Sequence, residues 1–221
     1  MRCGGSARGH TTRPPAGAPN IMAKMSFLER WLVNSPFRAW LQRGEVDAFI
    51  RWAHPSVDAA VLDMGCGPGG ASALVWERAR PHLLVAFDFD LTMVELAGRR
   101  LRRRGVPADV RLLAADATHM PLKDAFFDVV FESGVVHHIP DWQAALREVA
   151  RVLKSGGRFC FAEPSKGRLA RGLYRPLPHA VEPTFDAEQW RAALAKAGLQ
   201  LEEPLRRLPL WDVCGVAAKP P

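Results

Sequence analysis

Val61-Leu62-Asp63-Met64-Gly65-Cys66-Gly67-Pro68-Gly69-Gly70 is the stretch that decides how the chain is read. A short apolar run carrying one acid passes straight into a loop with four glycines. Such a junction is how a strand of a parallel sheet brings its main chain to a ligand at the carboxyl edge. Glycine allows the sharp turn and removes the Cβ that would keep a ligand off the backbone. Residues 71–80 read as a helix whose first N–H groups face that ligand.

Outward from this loop, strands and helices alternate, which implies crossover connections and a parallel sheet. Strands are predicted at 59–64, 83–88, 109–114, 126–132 and 157–163. Leu91, Val94, Ala97 and Leu101 form one apolar helical stripe, leaving Arg99, Arg102 and Arg103 outward. Trp142, Ala145, Leu146, Val149, Val152 and Leu153 form another, closed by Lys154-Ser155-Gly156-Gly157, a helix C-terminal signature. The link 116–125 is too short for a full helix. Residues 164–183 hold four prolines and read as a loop or lid. Asp186 and Gln189 form a capping box that opens a helix carrying Trp190, Leu194 and Ala197. Two last strands, 199–207 and 210–218, are joined by too little chain for a crossover and must pair as an antiparallel hairpin. The predicted fold is α/β: a Rossmann-like, seven-stranded, mostly parallel sheet closed by that hairpin, with helices on both faces.

Before the first strand, residues 26–53 turn helical, with Phe27, Leu28, Trp31 and Leu32, then Phe37, Trp40 and Leu41, then Val46, Phe49 and Ile50 at one-face spacing. Asn34-Ser35-Pro36 and Gly44 divide this run into two or three short helices. The segment, 23–58, reads as a cap over a pocket or as a helix packed on the sheet edge. Residues 1–22, rich in Gly, Pro, Ala and Arg, read as a disordered tail. A transit peptide, or a start placed upstream of Met22 or Met25, stays open beside that reading.

With 221 residues, 48% of them hydrophobic, the chain can bury one core, which leaves one domain, 59–221, beside the cap. No apolar run approaches the ~20 residues of a membrane span. Cys3, Cys66, Cys160 and Cys214 lack metal-type spacing, so no metal site is expected, and a reducing, cytoplasmic compartment is the simplest reading. The net charge of +7 sits largely in the acid-free N-terminus and in Arg99-Arg100-Leu101-Arg102-Arg103-Arg104. That arginine run lies on a helix away from the carboxyl edge and has no interleaved aromatics. It therefore reads as a solvated face rather than a phosphate grip.

Gly65-x-Gly67-x-x-Gly70 formally satisfies a dinucleotide fingerprint, so the loop alone does not name its ligand. Asp88, 23 residues after Gly65, suits the two hydroxyls of a ribose. Asp63 stands where a pyrophosphate binder would carry an apolar residue; a carboxylate there repels phosphate and suits a cation. Asp116 ends the third strand, placed for an adenine amino group. Three acids at adjacent strand ends favour a nucleoside cofactor with positive charge and no phosphates. S-adenosylmethionine, with its sulfonium and ammonium, meets that description.

Residues 61–70 resemble the first motif of class I S-adenosylmethionine-dependent methyltransferases. Phe87-Asp88-Phe89-Asp90 resembles their second motif, and Ala115-Asp116-Ala117 the adenine-contacting one. The likeness runs on through 120–130, through Glu132-Ser133-Gly134-Val135-Val136-His137-His138-Ile139-Pro140-Asp141, and through 145–157, where Ser155 replaces the family's common proline. Together these motifs are similar to the subgroup that methylates small molecules, including ubiquinone and menaquinone precursors.

The resemblance implies that Gly65, Cys66 and Gly67 line the methionine part of the cofactor. Asp63 would act near its ammonium, directly or through water, or would hold the glycine loop by backbone hydrogen bonds. Asp88 would take the ribose, Phe89 the adenine face, and Asp116 and Ala117 the adenine edge. Met120 borders the adenine or simply packs, and Glu132 and Ser133 would meet the methionine group. Methyl transfer to a sulfonium-activated carbon needs alignment above all, and a base only when the acceptor must lose a proton. His137 is the candidate for that base, with His138 beside it; a structural histidine is the alternative for both. The expected acceptor is small or lipid-like, hydrophobic or aromatic. A tRNA or rRNA methyltransferase using the basic surface, and a non-catalytic cofactor-binding scaffold, are the alternatives.

Overall fold

The computed structural model describes residues 35–107, 110–169, 185–202 and 204–221. The predicted tail, the first part of the cap, and most of the predicted lid lie outside the described residues. Helix α1, Pro36–Ala53, starts where Ser35 Oγ accepts from Arg38 N and proline occupies the first turn. It ends at His54, whose φ of 47° is left-handed. Gly44 does not punctuate it, contrary to expectation. One unfavourable glycine costs about 1 kcal/mol, and buried Leu41, Val46, Ala48 and Phe49 anchor the helix on both sides of it.

Strand β1 (Ala60–Met64) leads through the glycine loop into α2 (Gly70–Ala79), and β2 (Leu83–Asp88) leads into α3 (Leu91–Arg103). Then come β3 (Arg111–Ala114), β4 (Phe127–Glu132), a 3-10 turn at Val136–His138, α4 (Trp142–Val152), β5 (Leu153–Glu163) and the short α5 (Lys166–Leu169). Helix α6 (Ala187–Lys196) and strands β6 (Gln200–Leu201), β7 (Arg206–Leu208) and β8 (Trp211–Ala218) complete the described chain. The sheet order is β3-β2-β1-β4-β5-β8-β6, with β7 also on β8. The first five strands pair in parallel, and β8 runs antiparallel to β5, β6 and β7. The predicted mixed sheet is present, and the order reverses between β1 and β4, where open α/β sheets bind ligands.

Three details differ from the sequence reading. The sixth predicted strand is divided into β6 and β7, giving eight strands; Pro204, which has no N–H to donate to a ladder, falls between them. Helix α4 stops at Val152, and Lys154 to Gly157 belong to β5 rather than to a helix end. Phe127 pairs with Leu153 and Val129 with Arg158, so the intervening residues bulge; Gly156, at φ 76°, lies in that bulge. Lys166–Leu169 is a helical turn where loop was expected.

Strand alternation sorts the core into two layers. Leu62, Met64, Val85, Phe87, Val130, Phe159 and Phe161 face α4 and α6, where Trp190 stacks on Trp142 at 5.8 Å. Val61, Leu84, Val129, Phe131 and Cys160 face α1 and α2, with Phe49 stacked on Phe131 at 5.6 Å. Helices on both faces leave only the strand ends free to build a site.

Candidate functional site

The glycine loop owes its shape to its lack of side chains. Gly65 has φ 72°, and a Cβ added there would lie 2.3 Å from Val135 Cγ2, so the turn after β4 packs directly on it. Gly67 has φ 51° and open space where its Cβ would be. Cys66 N donates to Phe87 O at 2.8 Å, and Gly67 N donates to Asp88 Oδ2 at 2.9 Å, which ties the loop to the end of β2.

Asp88 accepts a second N–H, from Asp90, at its other oxygen. Each oxygen keeps a lone pair for a further donor. Burial raises the Asp88 pKa more than these bonds lower it. Asp63 is 4% exposed and accepts from the Ser72 hydroxyl at 2.5 Å, not from the loop backbone. Burial, reinforced by the charge of Asp88, pushes it up to about 6. Among the described residues it pairs with no cation. Cys66 is buried, and burial plus the two aspartates drives its thiol well above the usual range, which makes it inert as a nucleophile. Phe89, at 38% exposure, is one of the few large apolar side chains left open.

Beside Asp88, Ala115 N donates to Asp88 O and brings the end of β3 alongside. Asp116 Oδ1 accepts from both Thr118 N and Thr118 Oγ1 at 2.8 Å, a local turn that fixes the carboxylate; Ala117 is buried. The loop 115–126 contains no helix, and α4 satisfies its backbone instead. Met120 N donates to Glu148, while Arg151 donates to Met120 O, Leu122 O and the Asp124 carboxylate. Met120 is buried beneath this clamp.

At the end of β4, Ser133 Oγ donates to Glu45 Oε2 of α1 at 2.8 Å. Glu45, 2% exposed, also accepts from both Arg38 nitrogens and from Trp211 Nε1 at 2.7 Å. Glu132 is buried, and its oxygens accept from Ala162 N at 3.2 Å and Val135 N at 3.4 Å. Burial first, then the adjacent Glu163, raise its pKa well above the usual carboxylate range. His137 is 6% exposed; its Nδ1 lies 2.5 Å from Glu163 Oε2, and its ring lies 3.9 Å from that of His138.

Asp63, Gly65, Cys66, Gly67, Asp88, Phe89, Asp116 and Ala117 thus converge at the ends of β1, β2 and β3. Glu132 at the end of β4 and Ser133 just after it stand next to them, but their side chains are turned to Glu163 and Glu45. Neither Glu45 nor Glu163 was singled out from the sequence. Glu163 had a readable signal, since it ends its strand as Asp88 and Glu132 end theirs. Glu45 had none, because its partners outside its own helix lie 88 and 166 positions away. Among the described residues no helix is long and apolar enough to cross a membrane, and no His, Cys, Asp and Glu group is arranged to hold a metal.

Two carboxylates without cations, beside a loop with an open face, fit a ligand that brings a positive charge and a ribose. Comparison with known proteins agrees. The family described as "Methyltransferase domain" matches residues 62–161. A demethylmenaquinone methyltransferase of Thermus thermophilus is 31% identical, the match covering 72% of this chain and 85% of that protein. A 27-O-demethylrifamycin SV methyltransferase of Amycolatopsis mediterranei is 32% identical over 64% of this chain and 54% of that protein, about half its length. A structure of a SAM-dependent methyltransferase from Aquifex aeolicus shares the fold, with a TM-score of 0.70 and 19% identity over 88% of this chain and 97% of that one. With its cofactor S-adenosylmethionine, the chain belongs to the S-adenosylmethionine-dependent methyltransferases of the class I fold.

Proposed function

We propose that this methyltransferase acts on a small, uncharged, hydrophobic or aromatic acceptor. The observation that carries the reading is the acidic carboxyl edge: Asp63, Asp88 and Asp116 stand together at the ends of three adjacent strands, and among the described residues none of them pairs with a cation. A field of that sign attracts a cationic cofactor and repels the phosphates of an RNA acceptor. The basic side chains Arg99, Arg100 and Arg103 of α3, with Arg104 just after it, gather around Leu96 and around Pro68 of the glycine loop, so the arginine run stands closer to the carboxyl edge than its place on the helix led one to expect. The two relatives above are named for demethylmenaquinone and a demethylated rifamycin, acceptors of the same broad kind.

S-adenosylmethionine, when bound, supplies a methyl carbon already activated by a sulfonium leaving group. In this reading Gly65, Cys66 and Gly67 present main chain to its methionine part, and Asp63 offsets its ammonium. Asp88 accepts from the ribose hydroxyls, Phe89 covers the adenine face, and Asp116 with Ala117 reads the adenine edge. Glu132 and Ser133 contribute main chain at the end of β4. His137 removes the proton of a hydroxyl or phenol acceptor; an imidazole has the right basicity for that task near neutral pH.

The test is methyl transfer from isotopically labelled cofactor to a panel of hydroquinones, phenols, fatty acids and total RNA. Label is expected on a hydroxylated apolar compound. For such an acceptor, His137→Gln should lower kcat by about 10²–10⁴ with cofactor affinity retained. Label on RNA alone would overturn the proposal.

A further inference from the structure

Glu163 is the last residue of β5, and its side chain is wholly buried. Its Oε1 accepts from two consecutive backbone amides, Val135 N at 2.8 Å and Val136 N at 2.6 Å, while Oε2 meets His137 Nδ1 at 2.5 Å. Glu132 stands beside this group, close enough for its carboxyl to interact directly with that of Glu163. Two buried carboxyls that interact directly do not both ionise. Burial pulls Glu163 upward, but His137 and the hydrogen-bond donors around it outweigh burial and hold it below the usual range, while Glu132 rises. Glu163 receives three short nitrogen contacts where Glu132 receives only two long ones, at 3.2 and 3.4 Å, so the negative charge of the pair belongs on Glu163 and the proton on Glu132. In a neutral imidazole facing that anion, Nδ1 carries the hydrogen and Nε2 the lone pair. The same anion pins the turn whose Val135 side chain packs on Gly65 of the cofactor loop.

We propose that Glu163 is a positioning residue of this methyltransferase, which fixes His137 with Nε2 unprotonated and at the same time seats the Val135 turn on the glycine loop. The first half rests on the reading of His137 as the base. As an acceptor oxygen bonds to the methyl carbon and the carbon–sulfur bond breaks with its electron pair on sulfur, the acceptor's O–H proton passes to Nε2. The ring becomes an imidazolium, and Glu163 offsets its charge through Nδ1. Glu132 serves by staying neutral, so that one negative charge, not two, faces the ring.

The tautomer is measurable without any acceptor, by long-range nitrogen–proton correlation NMR on histidine-labelled protein with the ring neutral. Wild-type His137 is expected as the Nδ1–H tautomer. In Glu163→Gln the amide oxygen can keep the two backbone donors while the amide NH₂ faces Nδ1, so the ring should invert to Nε2–H. Affinity for S-adenosylhomocysteine should then stay within about threefold, because the turn keeps its acceptor. Glu163→Ala loses the acceptor as well and should bind S-adenosylhomocysteine at least about tenfold more weakly. An Nε2–H tautomer in the wild type, or an unchanged tautomer in Glu163→Gln, overturns the placement of the base. Unchanged affinity in Glu163→Ala overturns the seating of the turn. A His137 variant with full turnover on an O–H acceptor would instead overturn the base reading and leave the tautomer result standing.

Discussion

Asp63 carries a pH dependence that follows from its surroundings. Its folded pKa, about 6, stands above the reference value of 3.8. Between those values the folded chain binds more proton than the unfolded one, so the contribution to stability is fully present below 3.8 and is lost as pH rises through 6. The difference corresponds to roughly 3 kcal/mol. Asp63→Asn should therefore flatten the fall in unfolding free energy between pH 4 and 7, measured by urea denaturation, and should be more stable than wild type at the upper end. A bound cation would do the same for the wild type by stabilising the charged carboxylate. At this scale much was legible: acids at strand ends are visible in the sequence because each follows an apolar run. What escaped was the partner of each acid. Ser72 for Asp63 and Glu163 for His137 are set by which strand and helix ends the fold brings together, and no local pattern encodes that.

At the scale of elements, Glu45 joins α1 to the site. One buried carboxylate holds Arg38 of its own helix, Ser133 after β4, and Trp211 at the start of β8. Glu45→Ala leaves Arg38 and the Trp211 N–H without their acceptor, and should destabilise the protein by about 3–5 kcal/mol in urea unfolding. It should also weaken S-adenosylhomocysteine binding through the loosened Ser133 turn. Unchanged stability would mean that α1 is held by its apolar face alone. The helical periodicity of 36–53 was readable, since Leu41, Val46 and Phe49 recur on one side. The continuity of the helix across Gly44 was not, because tertiary packing overrides a single weak residue. The end of α4 was misread for a related reason: Lys-Ser-Gly-Gly is equally good chemistry for a helix end and for a bulge in a strand.

For the whole molecule, the division of charge matters more than its sum. The net charge of +7 coexists with a carboxyl edge where Asp63, Asp88, Asp116 and Glu163 stand at or just beyond four parallel strand ends, with the neutral Glu132 at the fifth. The alternating strands and helices made the parallel sheet readable, and the short Leu208–Trp211 connection made the antiparallel closure so; the strand order came only with the structure. The sixth strand's division was less visible, because β6 and β7 each earn their place only by pairing with β8. The acidic edge explains how a loop that passes for a dinucleotide fingerprint serves a cationic nucleoside. Calorimetric titration with S-adenosylhomocysteine, on wild type and on Asp88→Ala, tests this most directly. Saturable one-to-one binding is expected, weakened at least about tenfold by loss of the charge-assisted ribose hydrogen bonds. Undiminished affinity in Asp88→Ala, or a nicotinamide dinucleotide bound in place of S-adenosylhomocysteine, would contradict it.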